Sequence, residues 1–405
     1  MHSCTQAQSH APRRDAADAA RANKTLTFSS RARHGQRLPT LLQRIAIAVV
    51  SAALVASCTN PRSTAERIDP DVARAKIVKL MPGGVKNQAA WAVDIFAAFE
   101  ALKIAPTTEN ICAAIAVTQQ ESTFEAQPKV PGLAKIARGE IDTRAARYRV
   151  PKPIVGLALK VKSSNGKTYE QRLSQVTTEK ELSDIFEELI ASVPLGRQLF
   201  SNLNPVRTGG PMQVSIAYAE AHAREKEYPY PREASIREEV FTRRGGMYFG
   251  IAHLLDYPSS YDEMIHRFAD FNAGHYASRN AAFQSAVSSL TKTKLVLDGD
   301  LLRYGSGAGE PSNTELAVRK LADKIELDAT QIRRDLEREK TEAFGDTKTY
   351  KRVLALADKQ RGREVPRGMI PNIRLQSAKI TRNLTTEWFA KRVDMRYKQC
   401  LARDR

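Results

Sequence analysis

An all-α fold is what this sequence predicts, on three observations. Apolar residues recur at three- and four-residue spacing along nearly the whole chain. No stretch alternates apolar and polar residues convincingly, as a half-buried strand would. Caps and turn residues punctuate the periodic stretches: Thr107 and Thr108 precede the apolar run from Ile111, and Ser163-Ser164-Asn165-Gly166 makes a break farther on.

In chain order, Val72 to Leu80 and Asn87 to Leu102 read as helices. A third begins near Glu109 and runs through Ile111-Cys112-Ala113-Ala114 to Glu121-Ser122. At about 100° per residue, Ala114 and Val117 lie within roughly 40° of Glu121, and Cys112 falls on the opposite side. Helical stretches follow at Leu133 to Tyr148, Pro153 to Val161 and Lys180 to Val193. Gln213 to Glu225, Ile236 to Leu255, Tyr261 to Asp270 and Ala277 to Leu290 come next. Gly305-Ser306-Gly307-Ala308-Gly309 mimics a nucleotide loop but follows no strand-like run, so it reads as a linker. Beyond it, Thr314 to Ile325, Thr330 to Phe344 and Thr349 to Lys359 form a charged helical set, and Ile370 to Cys400 closes the chain.

The front of the chain reads as an address. Arg31, Arg33, Arg37 and Arg44 precede an apolar stretch from Ile45 to Ala56, too short to span a bilayer. It ends in Val55-Ala56-Ser57-Cys58, which resembles a bacterial lipobox. The resemblance implies that Cys58 is diacylated and becomes the first mature residue; an ordinary cleaved signal or an N-terminal anchor is the alternative. Paired acyl chains hold a protein to a bilayer where one chain binds marginally. Thr59 after the lipidated Cys implies the outer membrane, with the chain facing the periplasm. Residues 1–30 are polar and precede the charged region, as an over-extended start would.

The 405-residue chain carries a formal charge of +18. Such a surplus often marks nucleic-acid binding, but an export signal argues against it and favours the anionic envelope. Of four cysteines, Cys4 lies in the discarded segment and Cys58 is assigned to lipid. Cys112 and Cys400 remain as a candidate disulfide in an oxidising compartment. The mature histidines His222, His253, His266 and His275 are scattered, no metal-ligand spacing occurs, and no cofactor motif is present.

Three short motifs carry the chemistry: Glu121-Ser122-Thr123-Phe124, Gly209-Gly210-Pro211-Met212-Gln213, and Phe268-Ala269-Asp270-Phe271-Asn272-Ala273-Gly274. In this order they resemble the E-S, G-L-M-Q and A-Y-N-A-G boxes of the lytic transglycosylase and goose-type lysozyme superfamily. The resemblance implies a lysozyme-like helical domain that cleaves peptidoglycan glycan strands with one catalytic carboxylate. Glu121 would protonate the leaving glycosidic oxygen and then, as base, take the proton of the muramic C6 hydroxyl, leaving a 1,6-anhydro end. Such a donor works near neutral pH when apolar surroundings favour its protonated form. Ser122, Met212, Gln213, Phe271 and Asn272 would line the substrate site, with Gly209-Gly210 allowing close backbone approach to a sugar.

Departures from the pattern leave other outcomes open. Pro211 replaces the usual Leu, and Phe271 replaces the Tyr, losing its hydroxyl. Residues 125–209 separate the first two boxes by more than is typical, which reads as an inserted helical subdomain forming one wall of the cleft. Asp270 is expected at a solvent-facing helix end; facing the cleft, it would favour hydrolysis. A lysozyme-like hydrolase and a non-catalytic glycan-binding lipoprotein are the alternatives. Residues 70–400 also resemble a family of proteobacterial lipoproteins carried as a domain of unknown function, most clearly in NPVRTGGPMQVS and FNAGHYASRNAAFQ.

The expected organisation is therefore a removed signal region at 1–57, a lipidated tether at 58–70, a catalytic domain at 71–294, a linker at 295–312 and a helical C-terminal region at 313–405. Its partners are glycan strands and, through the lipid, a membrane; the sequence leaves oligomeric state open. Cys58→Ala is expected to abolish acyl labelling in cells and to release the protein from membranes; continued labelling of that variant would refute the lipobox.

Overall fold

Three helices open the fold: Pro70–Leu80 (α1), Gln88–Leu102 (α2) and Thr108–Glu121 (α3). In this computed structural model the described residues are 69–192, 204–231, 235–375 and 384–405. The expected export signal and Cys58 lie outside them. Thr107 caps α3 by accepting from the Asn110 N–H. Every residue of α3 from Ile111 to Thr118 is buried, so the helix is apolar all round and central to the fold.

The segment expected as an insertion, residues 125–209, holds Leu133–Arg147 (α4), Lys152–Leu159 (α5), Tyr169–Gln175 (α6) and Glu179–Ala191 (α7). Reciprocal capping boxes start α6 at Thr168 and α7 at Thr178. These four helices pack chiefly on one another. The short α6 is absent from the sequence prediction, because seven residues give too few turns for periodicity to register.

Thr208–Gly209 (β1) pairs antiparallel with Val214–Ser215 (β2), a two-residue ladder that pattern reading misses. Ile216–Glu225 (α8) follows. The single helix expected over Ile236 to Leu255 is two, Ile236–Val240 (α9) and Arg243–Leu255 (α10). Thr242 divides them: its backbone is extended and its hydroxyl caps α10 by accepting from the Gly245 N–H. Met264–Ala273 (α11) and Ala277–Thr291 (α12) complete this half.

Asn313–Arg319 (α13), Ala322–Ile325 (α14), Ala329–Leu336 (α15) and Lys348–Arg361 (α16) follow, then a second two-residue ladder of Arg374–Leu375 (β3) with Leu384–Thr385 (β4) and the closing helix Thr386–Leu401 (α17). Among the described residues no helix is long and apolar enough to cross a membrane.

Two hydrophobic cores divide the chain differently from the expected boundaries. The first joins α1–α3, the insertion, α10, α11 and α17. The second joins Phe283 of α12 to Val318, Ile332, Phe344 and Val353. Within residues 313–405, α13–α16 belong to the second core, while α17 packs along both α3 and α11. Residues 295–312 are not only a linker, because Leu295, Leu301 and Leu302 are buried in the second core.

A disulfide joins Cys112 in the first half of α3 to Cys400 in the last turn of α17, with Cα atoms 5.5 Å apart and 288 residues between them. With the bridge at opposite ends of two helices that pack along each other, α3 and α17 run antiparallel. The N-terminal half of α17 therefore lies toward the Glu121 end of α3. Unreduced, denatured protein is expected to yield no alkylatable thiol at Cys112 or Cys400, and Cys112→Ala to lower the unfolding free energy by about 2–5 kcal/mol. Two freely alkylated thiols would refute the bridge.

Candidate active site

The first box ends α3. Glu121 is 5% exposed, on the face that carries Ala114 and Val117, both fully buried. Ser122 closes the helix, its N–H and its hydroxyl both donating to the Thr118 carbonyl. Thr123 and Phe124 then take left-handed backbone conformations, φ 54° and 61°, which reverse the chain directly after the carboxylate. The turn is held from outside: the Phe124 ring meets Trp91 of α2 edge-on at 5.3 Å. One residue before Glu121, Gln120 is only 9% exposed, and its Oε1 has no hydrogen-bond partner among the described residues.

The second box is the turn between β1 and β2. The Gln213 N–H donates to the Gly210 carbonyl, and the Gln213 side chain donates to the same oxygen at 3.3 Å and accepts from the Thr208 hydroxyl. Gly210 has φ +72°, and a Cβ there would overlap the Val240 carbonyl. Gly209 lies as tightly against the Phe241 ring. The close approach that these glycines permit is thus to the protein's own α9–α10 junction. Met212 is fully buried against Gly250, and Pro211 packs on Gly246.

The third box ends α11. Phe271 is buried between His253, whose ring is 5.0 Å away, and Phe389 of α17. His253 Nε2 lies 3.2 Å from the Phe271 carbonyl. Asn272 Oδ1 accepts from the Thr386 hydroxyl at 3.0 Å, and the side chain is buried. Phe271 and Asn272 are therefore fixed from behind by α10 and α17.

All three boxes lean on α10. Thr118 of α3 donates to Met247 Sδ at 3.6 Å, Met212 sits on Gly250, and His253 braces Phe271. At its start, Arg243 pairs with Asp94 of α2 and lies over the Trp91 ring at 5.6 Å. Arg244 pairs with Glu239 at 2.9 Å and covers Tyr230. Burial opposes ionisation of Glu239, but Arg244 and Tyr228 outweigh it and hold the carboxyl below its usual range. Both arginines therefore already have internal partners.

Asp270 corrects the sequence reading. It is fully buried, not solvent-facing, and its carboxylate accepts from four donors: the Tyr257 and Tyr261 hydroxyls and the Tyr276 and Ser278 N–H groups. It organises the turn that leads into α12. Burial pushes its pKa up to about 6 against the opposing pull of those hydrogen bonds.

The histidines also differ from expectation. His222, His253 and His275 are not scattered but gather around Tyr218, with ring centroids 4.6–5.7 Å from it. Burial holds His275 down to about 4 and pushes His253 well below the usual range, so both are neutral at pH 7. Linear spacing gives no sign of this cluster, nor of the roles of Thr386 and Trp91. No group of residues able to hold a metal ion occurs among the described residues.

The fold and site define a class: an all-α protein with a single buried carboxylate at the end of its central helix. Residues 84–403 match the family described as protein of unknown function (DUF1615), and the chain belongs to that family. It is 57% identical over 321 residues to "Uncharacterized protein YaiW" of Escherichia coli (strain K12), spanning 79% of this chain and 87% of that protein. No solved structure matches the chain significantly. The family description names no activity.

Asp270 gives a signed pH dependence. Its folded pKa lies above its unfolded value, so its contribution to stability is complete below about pH 4 and is lost as pH rises through about 6. The difference corresponds to about 2–3 kcal/mol. Urea unfolding of wild type and Asp270→Asn between pH 4 and pH 7 is expected to show a shallower decline in the variant by roughly that amount; parallel curves would refute it.

Proposed function

We propose that the protein is a peptidoglycan lytic transglycosylase, anchored by lipid at Cys58 to the outer membrane and facing the periplasm. Glu121 acts first as acid on the glycosidic oxygen between N-acetylmuramic acid and N-acetylglucosamine. It then acts as base on the C6 hydroxyl, which closes the anhydro ring. The observation that carries this reading is the placement of Glu121: 5% exposed, on an apolar face, at the end of a helix whose other turns are buried. A donor requires a protonated carboxyl, and this reading assigns that form to Glu121.

The burial of Asp270 supports the anhydro reading over hydrolysis by water held at that residue. A hydrolase that positions water with a second carboxylate needs that group open to the substrate. Asp270 instead spends its lone pairs on four internal donors. Met212, Gln213, Phe271 and Asn272 take positioning roles in this reading: their burial suits them to form the wall behind Glu121 rather than to touch sugar.

Mass analysis of muropeptides released from purified sacculi is the direct test. Anhydro ends are expected from the wild type. Glu121→Gln keeps the size but removes the proton transfer, and is expected to lower release by at least about 10²–10⁴-fold. Asp270→Asn is expected to keep anhydro products. Wild-type turnover by Glu121→Gln, or reducing ends in place of anhydro ends, would overturn the mechanism; no release at all by the wild type would favour a glycan-binding lipoprotein.

A further inference from the structure

The insertion exposes aliphatic side chains where a soluble surface would hide them. Among the described residues ten large hydrophobic side chains are exposed, and five fall within one short segment: Tyr148, Val150, Ile154, Leu157 and Val161. Leu157 is 68% exposed, Ile154 55% and Val161 54%. At about 100° per residue, Ile154 and Leu157 lie roughly 60° apart on one side of α5, and exposed Val161 follows two residues past its end. Val155 and Leu159, on the other side of α5, are buried in the core. The helix is thus apolar on both sides, and only one side has a partner within the protein.

Along this stretch of chain the charge is of one sign. Arg147, Arg149, Lys152, Lys160 and Lys162 are exposed, and none makes an ion pair among the described residues. No acidic residue lies between Asp142 and Glu170. Exposed apolar side chains rimmed by unpaired cations are the two components of interfacial membrane binding: aliphatic groups enter the acyl boundary, and cations meet anionic headgroups. A glycan strand would satisfy the cations but offers no apolar phase for Ile154, Leu157 and Val161. A protein partner would satisfy the aliphatic groups, but nothing in the segment supplies acidic or amide side chains to set its orientation.

We propose that α5 and its flanks, residues 147–162, form a docking surface for an anionic phospholipid bilayer. The surface lies in the insertion, away from the three boxes in sequence, and it stands whether or not the protein cleaves glycan. It acts in addition to any lipid at Cys58, pressing the folded domain itself against the headgroups.

The test is flotation with vesicles. The buried residues of both described cores lie between Ala73 and Cys400, so an unacylated chain beginning at Thr59 keeps all of them. Vesicles of phosphatidylethanolamine with one quarter phosphatidylglycerol are expected to bind it at least tenfold more tightly than phosphatidylcholine vesicles, and 0.5 M salt to weaken binding strongly. Ile154→Ser with Leu157→Ser is expected to lose at least tenfold, with unchanged helical circular dichroism. Lys160→Gln with Lys162→Gln is expected to reduce the preference for phosphatidylglycerol. An indole placed by Leu157→Trp is expected to shift to the blue on the anionic vesicles and to be quenched by brominated acyl chains. Equal binding by wild type and the serine variant, or no binding to the anionic vesicles, would overturn the proposal. So would self-association of wild type that the serine variant abolishes without any dependence on lipid.

Discussion

A Cβ on Gly246 would overlap Pro211, and one on Gly250 would overlap Met212. The structure around Glu121 depends on that close approach. Because α10 lacks side chains at these positions, the β1–β2 turn can lie directly on its backbone, and Met212 fills the space that a larger residue would occupy. Met247, between the two glycines, reaches Thr118 of α3, and His253 farther along reaches the Phe271 carbonyl. Three segments remote in sequence are registered against one helix in this way. The glycines weaken α10 by their intrinsic propensity, and its burial between α2 and α11 offsets that cost.

The second constraint comes from the end of the chain. Helix α17 packs along α3 and α11, carries the disulfide at its last turn and bonds Asn272 at its first through Thr386. A link between positions 288 residues apart removes more freedom from the unfolded chain than any short loop would. It also couples the third box to the first, since both are fixed to the same rigid element.

How much of this was legible in the sequence follows from length and partner distance. Helix α3 shows itself because Thr107 caps it and its apolar run is long. The two ladders do not, because two residues cannot show an alternation. The division at Thr242 was readable in principle: a Thr followed by Arg243-Arg244-Gly245-Gly246 is a cap signal inside an apparently continuous helix. The burial of Asp270 was not. A carboxylate is ordinarily exposed, and its four donors come from Tyr257, Tyr261, Tyr276 and Ser278, whose convergence is a tertiary fact. The same holds for the histidines, which are separated in sequence yet gather around Tyr218, and for Leu295 and Leu301, which a glycine-rich neighbourhood disguised as linker.

Glu121 and Asp270 show how one residue class divides into two tasks by environment. Asp270 is buried completely but receives four hydrogen bonds, so the charged form survives at neutral pH and the group serves as an internal cap. Glu121 is also buried, but at a helix end bounded by Ala114 and Val117 on its own face and by a left-handed turn. The donors around Asp270 come from the loop it organises, and α3 places Ala114 and Val117 on the same face as Glu121. The proposal of a single-carboxylate mechanism therefore draws on the buried position of Glu121 at the end of α3 together with the sequence boxes.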